Sequence, residues 1–268
     1  MSNTQILRGK HAVVFGAGGS IGSAVAREFA AEGAEVFLSG RTRSNVEEAA
    51  KGIVAADGRA HAAMIDAVDD AAVNEYLDGV VKKSGSLDIV FNAVGPLIGE
   101  YRNTVPATDL RIEEFMTPLT TIVKSQFITA RAAARHMIKQ RSGVIIFLTG
   151  SPARGHVPGA TAIGAAFGAI ESLTENLAVE VGPAGVRAVC LRTTANTDSR
   201  TIQQTMDALV SRVHITKDQA MAAMANLNFL KASASVSDTA KAAVLLASER
   251  ARFLTGTVAN FTAGSALD

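Results

Sequence analysis

Short apolar segments alternate along the chain with longer segments whose apolar residues recur every three or four positions. The first six short segments are apolar nearly end to end, as strands covered on both faces require, so the pattern predicts the strands of a parallel sheet. The predicted strands are HAVVF at 11–15, AEVFL at 34–38, AHAAMI at 60–65, LDIVFN at 87–92, GVIIFL at 143–148, GVRAVCL at 185–191 and GTVANF at 256–261.

The longer segments have the spacing of amphipathic helices. They include residues 21–32, 45–57, 70–83 and 160–181. Regular alternation of strand and helix predicts an α/β fold, a doubly wound sheet of about seven mainly parallel strands with helices on both faces. Because no linker, repeat or low-complexity tract interrupts the pattern, residues 1–268 are predicted to form a single domain.

Two segments of helical pattern have special features. Pro118 cannot donate a backbone hydrogen bond within a helix, so the long helix that ends near residue 140 is predicted to begin there, with Thr117 as its N-cap. Residues 195–234 contain three methionines and no strand pattern. Such an insertion after the carboxyl end of a strand is predicted to form a lid over a substrate site.

Composition and charge narrow the classes of partner. The chain has 26 Lys and Arg residues against 25 Asp and Glu, a formal net charge of +1, which gives no long-range attraction to nucleic acid or to an anionic membrane. One cysteine, Cys190, and five histidines without zinc-binding spacing predict neither a disulfide nor a metal site. No apolar run reaches the ~18 residues of a membrane span, and no signal peptide pattern is present, so a cytoplasmic location is expected.

A glycine-rich turn directly follows the first predicted strand and opens a helix. Its glycines leave room for backbone amides to approach a pyrophosphate, and the free amides and positive dipole end of the helix bind the anion. Strand, turn and helix in this order predict a dinucleotide site, whereas a tight turn without a ligand is the alternative. The residues assigned to this site are Gly16, Gly18, Gly19, Ser20, Ile21 and Gly22.

The end of the second predicted strand distinguishes between two cofactors. Where a carboxylate would hold the ribose diol of NAD(H), the chain reads Ser-Gly-Arg-Thr-Arg at 39–43. Arginine forms charge-assisted hydrogen bonds with a 2′-phosphate, which a carboxylate would repel. The sequence therefore predicts NADP(H), with Arg41 at the 2′-phosphate. The alternative is that Arg41 and Arg43 are ordinary surface charges.

These segments resemble the short-chain dehydrogenase/reductase family from about Arg8 to Gly264. The turn at 16–22 is similar to its TGxxxGxG motif, with Phe15 at the Thr and Ser20 at the middle Gly, and LLASERARFLTG at 245–256 is similar to the run before its last strand. The resemblance implies a Rossmann-type fold, a small-molecule substrate and a homodimer or homotetramer. The further cofactor-binding residues that it implies are Asp66, Ala67, Asn92, Ala93 and Gly95.

The catalytic residues of that family are missing at the aligned positions. The resemblance places its Asn, Ser, Tyr and Lys at Ile122, Gly150, Ile163 and Phe167, and a Tyr-x6-Lys register, as in the enoyl reductase branch, gives Ala160 and again Phe167. In the family the Lys lowers the pKa of the Tyr, so that the phenol exchanges a proton near neutral pH. The chain is therefore predicted to keep a cofactor site without the usual proton donor.

Other polar residues near the carboxyl edge of the predicted sheet are candidates for this chemistry. Ser151, one position beyond the family's Ser, is a candidate donor to a substrate oxygen, and His156 is a candidate general acid. A turn serine and a solvated histidine are the ordinary alternatives. The remaining polar residues of this region are Tyr101, Thr149, Arg154 and Thr161.

Three hypotheses for the function follow. Ketone reduction develops alkoxide charge, and loss of the proton donor costs about 10²–10⁴ in rate. Hydride addition to an iminium needs no proton at that step, and an enone gives a delocalised enolate. The first hypothesis is therefore an NADP(H)-dependent oxidoreductase that reduces a small apolar imine, enone or carbonyl compound. The second is a catalytically silent relative that binds NADP(H) or a partner as a structural or regulatory subunit, and the third is a lyase or isomerase reaction in the same pocket.

Overall fold

The computed structural model describes residues 5–96, 100, 105–155, 157–213 and 215–268. Within them the chain forms a seven-stranded sheet, in which each adjacent pair of strands is parallel, in the order β3-β2-β1-β4-β5-β6-β7. The strands are β1 (His11–Phe15), β2 (Glu35–Gly40), β3 (Arg59–Met64), β4 (Ile89–Asn92), β5 (Gly143–Gly150), β6 (Val186–Thr193) and β7 (Thr257–Phe261).

Helices cover both faces of the sheet. One face carries α1, α2 and α9, and the other carries α3, α5 and α6, which confirms the predicted α/β fold. Each strand and helix that the sequence pattern placed has its counterpart, with ends shifted by a few residues. The helices are α1 (Ser20–Ala31), α2 (Arg43–Val54), α3 (Asp70–Ser84), α4 (Ile112–Pro118), α5 (Lys124–Gln140), α6 (Thr161–Val181), α7 (Arg200–Val213), α8 (Lys217–Leu227) and α9 (Val236–Ala247).

Two apolar cores hold these layers together. On one face the rings of Phe29 and Phe91 pack edge to face, with centroids 6.4 Å apart, and on the other Phe15 packs in the same way on Tyr76 at 6.0 Å. Full burial of side chains of this size contributes about 1.5–3 kcal/mol each. β3 departs from the predicted burial, because it lies at the edge of the sheet and keeps Met64 half exposed.

The prediction that the long helix begins at Pro118 is wrong. The helix begins at Ile112, and Pro118 ends α4, after which a wider π-helical turn, Leu119–Val123, leads directly into α5. Thr117 is not an N-cap, because its hydroxyl donates to the backbone carbonyl of Glu113 at 2.9 Å. Proline lacks the backbone N–H and crowds the preceding turn. The helix stays continuous by widening directly after it, a feature that is frequent at functional sites.

The strand order reverses between β1 and β4, and this reversal places a crevice at the carboxyl ends of the two strands. The turn at 16–22 follows β1, and the loop at 93–96 follows β4. In the part of the chain that is described, no helix combines the length and apolar character that a membrane span needs. In that same part, no three His, Cys, Asp or Glu side chains are grouped as metal ligands would be.

The single cysteine provides a test of the packing around β6. Cys190 is fully buried with its Sγ 3.2 Å from Thr149 Oγ1, and burial raises the pKa of its thiol to about 12. Because the thiolate is the reactive species, we expect no reaction with Ellman's reagent in the native protein and one reacting thiol after unfolding in guanidinium chloride. A thiol that reacts rapidly before unfolding would contradict this burial.

Candidate functional site

A large cavity opens at the carboxyl edge of the sheet. Its volume of about 1350 Å³ exceeds the ~300–1,000 Å³ that is typical of a site for one small molecule. One end, the cradle end, is lined by the turn at 16–22, the end of β2 and the loop after β4. The other end, the apolar end, is lined by the end of β5, α6 and the helices α7 and α8. The cavity has room for a dinucleotide and a substrate side by side.

The glycines of the turn determine the shape of the cradle end. Gly16 has a φ of +74°, and a Cβ there would lie 2.8 Å from backbone atoms of Ala93. A Cβ on Gly22 would lie 2.3 Å from the carbonyl oxygen of Gly16. Side chains at these positions would therefore push the turn away from β4 and from α1. The cradle is formed by bare backbone, which fits the close approach of a pyrophosphate to the start of α1.

The cavity brings together nearly all residues that were predicted to bind the cofactor. Those that line it are Gly16, Gly18, Gly19, Ser20, Ile21, Gly22, Arg41, Asp66, Ala67, Ala93 and Gly95. Asn92 is buried instead: its Nδ2 donates to Thr129 Oγ1 at 2.9 Å, and its Oδ1 accepts from the backbone of Val94 at 2.8 Å. The side chain of Asn92 therefore shapes the loop after β4 from within.

The two arginines after β2 lie in different places. Arg41 lines the cradle end, and its guanidinium lies 3.7 Å from the carboxylate of Glu100. Arg43 pairs with Glu47 at 3.5 Å along the surface of α2 and does not line the cavity. The start of α2 adds the positive end of its dipole beside Arg41. Of these two arginines, Arg41 is thus the one that lines the cavity.

The four positions that the sequence resemblance assigned to the family's catalytic residues meet at the apolar end. Ile122, Gly150, Ile163 and Phe167 all line it, as does Ser151. A Cβ on Gly150 would lie 3.0 Å from Cε2 of Phe167, so the ring takes up space that a serine side chain would need. None of the four residues has a titratable side chain. These four positions therefore offer a surface for apolar groups and no titratable proton donor.

The candidate donors have different surroundings. Ser151 lines the cavity, and its hydroxyl forms no hydrogen bond with any residue of the described ranges. Thr149 is buried, with its hydroxyl directed to Glu171 at 3.3 Å, and Thr161 does not line the cavity. Arg154 does not line the cavity and pairs with Glu171, and His156 and Tyr101 lie outside the described residues. Ser151 is thus the candidate donor whose hydroxyl is placed at the cavity.

A buried ion-pair network supports the apolar end from the side of the sheet. Arg192 on β6 is 1% exposed and donates from Nε and Nη2 to the carboxylate of Glu171 on α6, at 2.7 and 3.0 Å. Arg154 lies 3.4 Å from the same carboxylate, and Arg192 also donates to Asp268. Burial lowers the pKa of Arg192, but its hydrogen bonds to Glu171 and Asp268 raise it more. The network joins the loop that holds Ser151 to α6 and β6.

Several lining residues were not found by sequence reasoning. Thr120, Thr121 and Lys124 reach the cavity from the π-helical turn and from the first residue of α5. A proline within a helical pattern is the signal that would have indicated this turn, since it predicts a local break in the hydrogen-bond ladder. The predicted lid segment also reaches the cavity. Its large apolar lining residues are Ile202, Met206, Ile215, Met224 and Leu227.

Comparison with known proteins agrees with this fold. Among solved structures, NAD+-bound xylitol dehydrogenase has a TM-score of 0.87 and 24% identity, over 96% of this chain and 98% of that chain. Sorbitol-6-phosphate 2-dehydrogenase SrlD of Erwinia amylovora has a TM-score of 0.88 and 23% identity, over 96% of this chain and all of that chain. At these identities the likeness shows the shared fold.

Sequence comparison adds closer detail. Short-chain reductase protein NovJ of Streptomyces niveus is 30% identical over 255 residues, 94% of this chain and 92% of that protein. Peroxisomal 2,4-dienoyl-CoA reductase SPS19 of Saccharomyces cerevisiae is 29% identical over 264 residues, 94% of this chain and 82% of that protein. Residues 10–208 match the family model for short chain dehydrogenase. With the cradle and the parallel sheet, these matches show that the chain belongs to the short-chain dehydrogenase/reductase family of oxidoreductases.

Proposed function

We propose that the protein is an NADP(H)-dependent oxidoreductase with an atypical active site, which reduces a small apolar imine, enone or carbonyl compound. The observation that carries the proposal is a single cavity with two contrasting ends. The cradle end has the glycine turn and Arg41, whereas the apolar end has Ile163 and Phe167 where the family has its proton-transfer pair.

Different residues of the cradle end bind different parts of the cofactor. The backbone of the turn at 16–22 receives the pyrophosphate, Asp66 and Ala67 flank the adenine, and Arg41 neutralises the 2′-phosphate. Arg41 must share or exchange its partner Glu100 when the phosphate binds. When bound, the reduced cofactor supplies a hydride to the substrate.

The residues of the apolar end favour substrates to which hydride can be added without a strong proton donor. Ile163 and Phe167 pack against the carbon skeleton of the substrate, and the face of the Phe167 ring attracts the positive charge of an iminium. For an enone or a carbonyl compound, the Ser151 hydroxyl donates a hydrogen bond to the oxygen on which negative charge develops. A ketone requires a full proton at that oxygen, and Ile163 and Phe167 cannot supply it in place of the family's phenol and ammonium.

The role of Arg41 is tested by its replacement. Arg41→Ala is expected to weaken NADPH binding about 10- to 100-fold, because charge-assisted hydrogen bonds to the 2′-phosphate are lost, and to leave NADH binding nearly unchanged. Arg43→Ala is the matched control, since Arg43 pairs with Glu47 away from the cavity, and it should bind NADPH like the wild type. Isothermal titration calorimetry measures the affinities of the wild type and of both variants for NADPH and for NADH. Equal losses for NADPH and NADH in Arg41→Ala would refute the 2′-phosphate role.

The reaction class is tested with Ser151→Ala and a panel of cyclic iminium, enone and ketone substrates. We expect turnover of the iminium or the enone, with ketones slower by about 10²–10⁴. Ser151→Ala should lower enone turnover by about 10²-fold and leave iminium turnover unchanged, since only the enone develops charge on an oxygen. NADPH oxidation is followed by absorbance. Tight NADPH binding without any turnover would instead support the catalytically silent subunit.

Introduction of the family's four catalytic residues at the aligned positions tests whether these positions face the reacting atoms of the substrate. We expect the variant with all four to reduce ketones about 10²- to 10⁴-fold faster than the wild type, because the new lysine lowers the pKa of the new phenol. Serine and lysine are introduced together, since the Phe167 ring would lie 3.0 Å from a Cβ at position 150. The four substitutions are Ile122→Asn, Gly150→Ser, Ile163→Tyr and Phe167→Lys.

The matched control for this variant carries Ile163→Phe, which has the same ring without the hydroxyl. Initial rates of ketone reduction and calorimetric NADPH affinities are measured for both variants. If the tyrosine variant binds NADPH but is no faster than the phenylalanine variant, position 163 does not face the reacting carbon.

A further inference from the structure

A hydrogen bond joins the glycine turn to the predicted lid. The backbone N–H of Arg200, the first residue of α7, donates to Ser20 Oγ at 3.1 Å, across 180 positions of the sequence. Ser20 is the first residue of α1 and stands where the family motif has a glycine. The contact therefore depends on a side chain that a glycine would not supply.

The side chain of Arg200 is placed at the same part of the cavity. It is exposed, it lines the cavity, and among the described residues no carboxylate forms an ion pair with it. Since the backbone of Arg200 contacts Ser20, its side chain starts beside the first residue of α1, within reach of the turn that is proposed to receive an anion. An arginine without a protein partner beside such a cradle suits the bidentate binding of phosphate oxygens.

The segment before α7 is held firmly, so that α7 begins at a defined place. The buried amide of Asn196 donates to Thr239 Oγ1 on α9 at 2.9 Å, and Asp198 accepts from the backbone of Val236 at 2.9 Å. Ser199 Oγ then accepts from the backbone of Ile202 at 3.3 Å and caps the first turn of α7. The same first turns carry apolar residues to the cavity wall. A contact at Arg200 is therefore coupled to the position of the lid.

We infer that Arg200 binds the dinucleotide pyrophosphate from the lid side, opposite the start of α1, and that Ser20 is the positioning residue that holds it there. This inference rests on the proposed cofactor. Pyrophosphate bound between α1 and α7 fixes the first turns of α7, where Ile202 and Met206 line the substrate end of the cavity. On this inference the bound cofactor completes the wall that α7 contributes to the substrate end of the cavity.

The test compares two ligands that share an adenosine 2′-phosphate, NADPH and adenosine 2′-monophosphate, of which the second lacks the pyrophosphate and the nicotinamide riboside attached to it. Arg200→Ala is expected to weaken NADPH about 10- to 100-fold and to leave the monophosphate within about twofold of the wild type. Arg200→Lys should recover part of the NADPH affinity, because it keeps the charge without the planar fork. Arg27→Ala removes an exposed arginine of α1 that does not line the cavity, and it should behave like the wild type.

A second variant tests the positioning role of Ser20 without removal of a charge. Ser20→Gly restores the motif glycine and is expected to weaken NADPH about 3- to 10-fold, the effect of one hydrogen bond, with the monophosphate unchanged. In the wild type, NADPH should slow hydrogen exchange of the backbone amides at 200–207. This protection should be reduced in Ser20→Gly and absent in Arg200→Ala, and Ser20→Thr, which keeps a hydroxyl, should retain it.

The outcomes separate this inference from the proposed function. If the wild type binds NADPH but Arg200→Ala binds it equally well, Arg200 does not hold the pyrophosphate and the inference fails alone. Equal losses for NADPH and the monophosphate in a variant with wild-type circular dichroism would also overturn it, because the effect would then not be specific to the pyrophosphate. If the wild type binds neither ligand, the proposed cofactor and the inference fall together.

Discussion

Parallel strands can be joined only when each connection crosses back over one face of the sheet, and this constraint brings the carboxyl ends of all strands to one edge. The site is a consequence of that geometry. The glycine turn after β1, Arg41 after β2, Asp66 after β3 and Gly150 at the end of β5 are far apart in the sequence but line one cavity. The reversal of strand order between β1 and β4 opens the crevice that this edge requires for a ligand.

The two ends of the cavity differ in their physical character. The cradle end is backbone and positive charge, and its shape leaves no room for side chains on Gly16 or Gly22. At the apolar end the side chains of Ile163 and Phe167 are uncharged, whereas the charged pair of Arg192 and Glu171 lies buried behind them. A buried ion pair is tolerated when hydrogen bonds satisfy it, as they do here. The charges of this pair thus lie behind the wall and neutralise each other there.

The sequence predicted the features that depend on local pattern. Strands and helices followed from the spacing of apolar residues, and the glycine turn and Arg41 followed from short motifs beside predicted strand ends. Features that depend on distant contacts could not be read in this way. No local signal indicates that Asn92 turns inward to Thr129. The contact of Ser20 with the backbone of α7 likewise depends on how residues 180 positions apart fold together. For Pro118, the preference of proline for the first turn of a helix gave the wrong start, because a π-helical turn after the proline lets the helix continue.

The contact between Phe167 and Gly150 restricts which pairs of residues the two positions can hold. A serine at 150 presses on the aromatic ring, and a lysine at 167 alone leaves an ammonium beside Ile163, with no phenol to act on. A larger residue at 150 needs a smaller or more flexible one at 167. The two positions are therefore coupled through packing and are expected to vary together.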